Sequence, residues 1–184
     1  MGMFQIDDTI VYPGHGVATV QEVIERVVAG STIVFLKLSF MFKDMTILVP
    51  TYNVDSIGIR VPNTEKELEI ILQELAKKPE RRLESIDFTP SGWNKRNKDY
   101  QLKIQGGKLV DLVKIYRDFM HISHMKELSF GERTLLQNIE DLIVQELQII
   151  KNLDRDVVLQ YLRNPFKEFF FQDNCFVDQV ASVL

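Results

Sequence analysis

The sequence predicts an α+β fold in two domains: a small five-stranded antiparallel barrel over residues 1–62, then an all-α helical bundle over residues 63–184. Three observations predict it. Residues 9–60 carry β-branched and aromatic runs of period two, punctuated by Gly and Pro turns. After Pro62 the apolar spacing lengthens to that of a helix. Capping boxes, at Thr64–Glu67 and Ser129–Glu132, occur in the second part.

The strands follow in order. Thr9–Tyr12 is a short run closed by the turn Pro13-Gly14-His15-Gly16. Val17–Val28 resumes in Val- and Ile-rich character, and Ala29-Gly30-Ser31 turns it back as a hairpin. Thr32–Phe40 alternates Val34, Leu36 and Leu38 against Phe35 and Lys37. Lys43-Asp44 turns again into Met45–Val49, which stops at Pro50, and Ile57–Arg60 supplies the fifth strand. Five short strands without an intervening helix suit an SH3- or Tudor-like barrel, whose single interior layer leaves no room for a substrate cavity.

The helices are as distinct. Thr64 caps a helix bearing Leu68, Ile71, Leu72 and Leu75, ended by Pro79. Residues 79–92 read as a connector with a short helical turn, and Ser91 is placed to cap a helix from about Trp93 to Ile104, broken by Gly106-Gly107. Leu109, Leu112, Val113, Tyr116, Phe119 and Met120 share one face of the next helix. Ser129 opens the strongest helix, striped by Leu135, Ile139, Leu142, Ile143, Leu147 and Ile150. Beyond about residue 152 the tail holds a further helix near Asp156–Arg163 and a Phe-rich cluster, Phe166, Phe169, Phe170, Phe171 and Phe176. That cluster reads as a final packing element, with an exposed interaction patch as the alternative.

The chain's 184 residues carry a net charge of −4, so the total does not mark a nucleic-acid binder. The distribution is more informative. Residues 77–108 hold nine Lys/Arg against four Asp/Glu, whereas residues 109–184 hold eight against twelve. A basic segment in an acidic chain can attract phosphate locally, although a solvated surface is its plainer meaning. No apolar run approaches the ~20 residues of a membrane helix. The single cysteine, Cys175, reads as a small apolar filler and fits a cytoplasmic protein.

Catalytic chemistry is missing from the pattern. His121 and His124 share a helical face, but no Cys or carboxylate set completes a metal site, and both are expected at the frayed surface end of their helix. His15 lies in a Gly-rich turn. Gly106-Gly107-Lys108 resembles the end of a phosphate loop, yet Leu109 replaces the Ser/Thr that would hold magnesium. No cofactor, metal or small-molecule substrate is therefore expected. What remains is Trp93-Asn94-Lys95-Arg96-Asn97-Lys98, the only tryptophan beside three cations at the expected start of a helix. Cations there oppose the helix dipole, so they ask for another purpose. Lys95, Arg96 and Lys98 could neutralise phosphates while the indole wedges at a base step. Equally, Trp93 could anchor a hinge with the cations merely solvated, and residue chemistry leaves both readings open.

The run Phe4-Gln5-Ile6-Asp7-Asp8-Thr9-Ile10-Val11-Tyr12-Pro13-Gly14-His15-Gly16-Val17-Ala18 closely resembles the opening of the CarD-like transcription regulators. The same module occurs as the RNA-polymerase-interacting domain of transcription-repair coupling factors. Val49-Pro50 with Asn53–Arg60 resembles the end of that module. Trp93 with its basic neighbours, Arg117-Asp118 and Leu128-Ser129-Phe130-Gly131-Glu132 resemble the family's helical domain, so the likeness spans about residues 4–152. It implies a non-enzymatic regulator whose barrel binds the RNA polymerase β subunit through a strand edge. It implies also that the helical domain contacts promoter DNA at the upstream edge of the bubble. Carried over, the wedge is Trp93 and the phosphate contacts are Lys95, Arg96 and Lys98. Arg26 matches a polymerase-contacting basic residue, and Leu48 stands where some members carry a second polymerase-facing arginine. The alternative is a DNA-independent polymerase adaptor whose helical half binds another protein.

Overall fold

A computed structural model of the chain describes residues 4–79 and 87–167. Four strands, β1 (Thr9–Tyr12), β2 (Gly16–Val28), β3 (Ser31–Phe40) and β4 (Thr46–Pro50), form one antiparallel sheet in sequence order. The β2–β3 hairpin turns through Ala29 and Gly30, both at positive φ, the geometry that matches strand twist. A register shift between Val20 and Glu22 adds a residue to β2. Such a bulge re-aims every later side chain of its strand. Ile10, Ala18, Val20, Leu36, Leu38, Phe40, Val49, Val54 and Ile59 form the core of this curled half-barrel.

The fifth strand expected at Ile57–Arg60 does not form. After Pro50 the chain enters a 3-10 turn (Thr51–Asn53) and a short helix α1 (Val54–Ile57), with the Ser56 hydroxyl donating to the Asn53 carbonyl at 2.8 Å. Asn, Asp and Ser compete with extended pairing through such local bonds. Buried Val54 plugs the half-barrel, and Gly58 at φ +83° ends the helix. Arg60 retains only an isolated bridge to Val11, with N···O distances of 2.7 and 3.2 Å.

The helices are α2 (Glu65–Leu72, continued by a 3-10 turn to Ala76), α3 (Pro90–Gln105), α4 (Leu109–Met125), α5 (Phe130–Lys151) and α6 (Arg155–Arg163). Both capping boxes form, at Thr64/Glu67 and Ser129/Glu132. Leu68, Tyr116, Phe119, Ile139, Ile143, Val158 and Phe166 lie in a second core built between the helices. Arg117 is only 1% exposed and is held there by Asp118 at 2.8 Å. Of the expected Phe cluster, Phe166 packs inside, edge-on to Tyr116 and His121 at 6.0 and 5.9 Å. His121 is thus half-buried, not on the frayed surface as expected, because the 3-10 turn after α6 covers it. The remaining Phe residues and Cys175 lie outside the described residues.

The two cores meet on α5. Gln145 accepts from the Val17 N–H at 3.3 Å, and Glu146 clasps Arg60 in a two-bond pair of 2.7 and 2.8 Å. Glu146 also accepts the Asn63 N–H at 3.0 Å, and Arg60 Nε donates to the Gly107 carbonyl at 2.9 Å. Pro13 presses on Gly107, where an added Cβ would stand 2.7 Å from the ring. The Pro13–Gly16 turn is therefore the joint between sheet and helices.

Candidate functional site

Helix α3 begins earlier than its sequence suggests. Thr89, not Ser91, is the cap, accepting from the Gly92 N–H at 3.2 Å, with Pro90 pre-set for the first helical position. Trp93 therefore sits in the second turn and Lys95, Arg96 and Lys98 beyond it, so the dipole cost inferred for these cations is small. Gly92 admits Asp87 against the helix start, since a Cβ there would fall 2.4 Å from the Asp87 carbonyl.

Trp93 is half-buried. Its ring meets Phe119 edge-on at 6.4 Å and lies over Gly131 at the start of α5. Arg96 points inward and is only 9% exposed. Its guanidinium stands 5.9 Å from the Trp93 ring centre and 5.7 Å from that of Phe88, and donates to the Asp87 carbonyl. Across the helix pair it reaches Glu132 at 3.5 Å, while Lys126 takes the other carboxylate oxygen at 2.7 Å. Lys126 also stacks on Phe88 at 5.0 Å. Burial pushes the Glu132 carboxyl up, but bonds from Lys126 and from the Ser129 N–H and hydroxyl outweigh it and hold the group below its ordinary range.

The expected phosphate contacts thus divide. Lys95 and Lys98 are exposed, and among the described residues neither joins an ion pair. Arg96 is occupied inside, where it braces the indole from behind. Sequence reading placed all three together because periodicity alone does not reveal that Glu132, thirty-six residues on, claims the middle one. The i,i+3 spacing of Trp93 and Arg96 was the available signal.

On the sheet, Arg26 lies opposite Ile33, Ile24 opposite Phe35, and Glu22 opposite Lys37; Phe35 and Lys37 in turn face Pro50 and Leu48. Directly opposed residues share a sheet face. Arg26 and Leu48 are therefore on one outer face, with Leu48 40% exposed and the Lys37–Glu22 pair, 2.8 Å, beside it. Strand β4 pairs with β3 alone among the described residues, so its other edge is open.

A four-stranded sheet and a helical bundle bearing a cation-braced tryptophan thus meet on α5. The family profile described as the CarD-like/TRCF RID domain matches residues 4–61, and that described as CarD, C-terminal domain, matches residues 83–163. The chain belongs to the CarD-like family of transcription factors. It is 28% identical over 151 residues to YdeB of Bacillus subtilis (strain 168), a protein classed provisionally as a transcription factor; the match covers 82% of this chain and 94% of that one.

Proposed function

We propose that this chain is a non-enzymatic regulator that bridges RNA polymerase and promoter DNA. The outer face of β2–β3–β4, with Arg26 and Leu48, docks on the polymerase β subunit, and the open edge of β4 offers main-chain pairing to a partner strand. Where the family likeness places an arginine in some members, this chain has Leu48, with Lys37 directly opposite it on β3. The bundle meets DNA at the upstream edge of the opening bubble. There Trp93 presses into the minor groove while Lys95 and Lys98 lie on phosphates. Arg96 holds the indole and does not touch DNA. Binding that favours the opened duplex shifts the promoter equilibrium toward it.

The observation that carries this reading is the braced, half-exposed Trp93 beside two exposed lysines that join no ion pair among the described residues. A hinge anchor needs no exposed cations, and a packing residue needs no cation held behind it. The test is the lifetime of the promoter complex with purified polymerase. Trp93→Ala shortens it while polymerase capture persists; Arg26→Glu lowers capture without unfolding the sheet. If Trp93→Ala leaves the lifetime unchanged with capture intact, the helical half serves another protein and the chain is an adaptor.

A further inference from the structure

The sheet and the bundle have separate apolar cores that share no residue, so the angle between them is set at the joint. Arg60 spans that joint. Its main chain bridges Val11 of β1. Its guanidinium forks onto both Glu146 oxygens on α5, at 2.7 and 2.8 Å, and its Nε donates at 2.9 Å to the carbonyl of Gly107, in the turn between α3 and α4. Glu146 is only 2% exposed and also takes the Asn63 N–H. One side chain thus ties the sheet to α5 and to the end of α3. Stability alone does not explain such a pair, since a buried ion pair gains little over an apolar contact of the same volume. What a fork adds is direction: apolar surfaces slide and tilt, whereas a planar guanidinium held by fixed acceptors keeps one orientation.

The lever beyond this tie is long. Trp93 lies near one end of α3 and Gln105 closes the other, beside the Gly106-Gly107 turn that Arg60 holds. At ~1.5 Å per residue the indole stands about 18 Å along the helix from the tie. A tilt of about 10° at the joint carries it about 3 Å, close to the ~3.4 Å between successive nucleotides of a strand. An error of that size puts Trp93 on the neighbouring step.

We propose that Arg60 is a positioning residue: through Glu146 and Gly107 it fixes the angle of the bundle on the sheet, and so the base step that Trp93 meets when the sheet is docked on polymerase. The inference rests on the reading of Trp93 as a DNA contact. The test uses the full chain, purified polymerase and promoters in which 2-aminopurine is moved one position at a time across the upstream bubble edge, reading fluorescence and complex lifetime. Arg60→Met would strand a buried carboxylate, so the variants are Arg60→Lys, which keeps the charge and loses the fork, and Glu146→Gln, which keeps an acceptor for Arg60 and Asn63. Either variant alone decides the matter, at a temperature where circular dichroism shows it folded. The response, confined to one position in wild type, spreads to its neighbours. The lifetime shortens about fivefold, the low end for one lost base–aromatic contact, and polymerase capture is retained. Added to Trp93→Ala, either variant shortens the lifetime by less than it does alone. If the response stays in place while Trp93→Ala shortens the lifetime, Arg60 only stabilises the fold; the proposal is refuted and the DNA reading stands. Lost polymerase capture, or a full effect on top of Trp93→Ala, also overturns it. If Trp93→Ala itself leaves the lifetime unchanged with polymerase captured, the DNA reading fails and this inference with it.

Discussion

Replacing Gly16 by alanine attacks the joint between sheet and bundle at its tightest point. Gly16 holds φ +105°, a conformation that costs other residues about 1–3 kcal/mol. The added methyl would also sit 1.9 Å from Gln145 Oε1 and 2.9 Å from Cδ, so that side chain must swing away. The Val17 N–H then loses its 3.3 Å acceptor in a buried setting, at about 1–3 kcal/mol. Together the change destabilises by about 2–6 kcal/mol. Urea unfolding followed by far-ultraviolet circular dichroism measures it. The two terms separate in a double-mutant cycle. With Gln145→Ala already present, the clash and the lost bond vanish and Gly16→Ala costs only the backbone strain, about 1–3 kcal/mol. A Gly16→Ala cost below about 0.5 kcal/mol, or the same cost in both backgrounds, refutes the reasoning.

Acid should loosen the Trp93 platform. Glu132 is held below its ordinary 4.5, so its stabilisation is complete above that value and is lost as pH falls through the lower folded value. Trp93 fluorescence and stability should therefore fall below about pH 4.5, and Glu132→Gln should flatten that dependence; an unchanged profile refutes the assignment. Glu140 ties α6 to the bundle, accepting from the Tyr116 hydroxyl at 2.9 Å and from Arg163 at 2.8 and 2.6 Å. Glu140→Ala should cost about 2–3 kcal/mol, below the full penalty because Arg163 keeps access to water. Amide exchange across Arg155–Arg163 should accelerate, and unchanged exchange would refute the tie. If Lys95 and Lys98 meet phosphates, each alanine substitution lowers the slope of log affinity against log salt by about 0.9. The Arg96→Met variant should instead shift Trp93 emission, since it removes the brace and no phosphate contact; a slope change of the same size there would restore Arg96 to the DNA surface.

Much of this protein was legible in its residues because the signals are local. Period-two alternation and paired positive-φ turn residues define β1 to β3, and the capping boxes define α2 and α5 at the residues where they occur. The exception on the sheet is instructive. Ile57–Arg60 has strand composition, yet Asn53, Asp55 and Ser56 just before it favour a turn, and only Arg60 reaches the β1 edge, in a single bridge to Val11. At α3 the proline takes the first helical position, and the cap falls at Thr89, two residues ahead of the serine that seemed placed for it.

The site was legible only in part. Trp93 with a surrounding basic segment is a feature of the linear chain, and so is the Pro13–Gly16 turn that carries the family likeness. Their roles came from long-range contact. Only packing turns Arg96 inward to Glu132, leaves Lys95 and Lys98 to solvent, and sets the Pro13–Gly16 turn against α5. Charge and periodicity name what a residue can do, while burial and the partner across the interface decide which of those things it does.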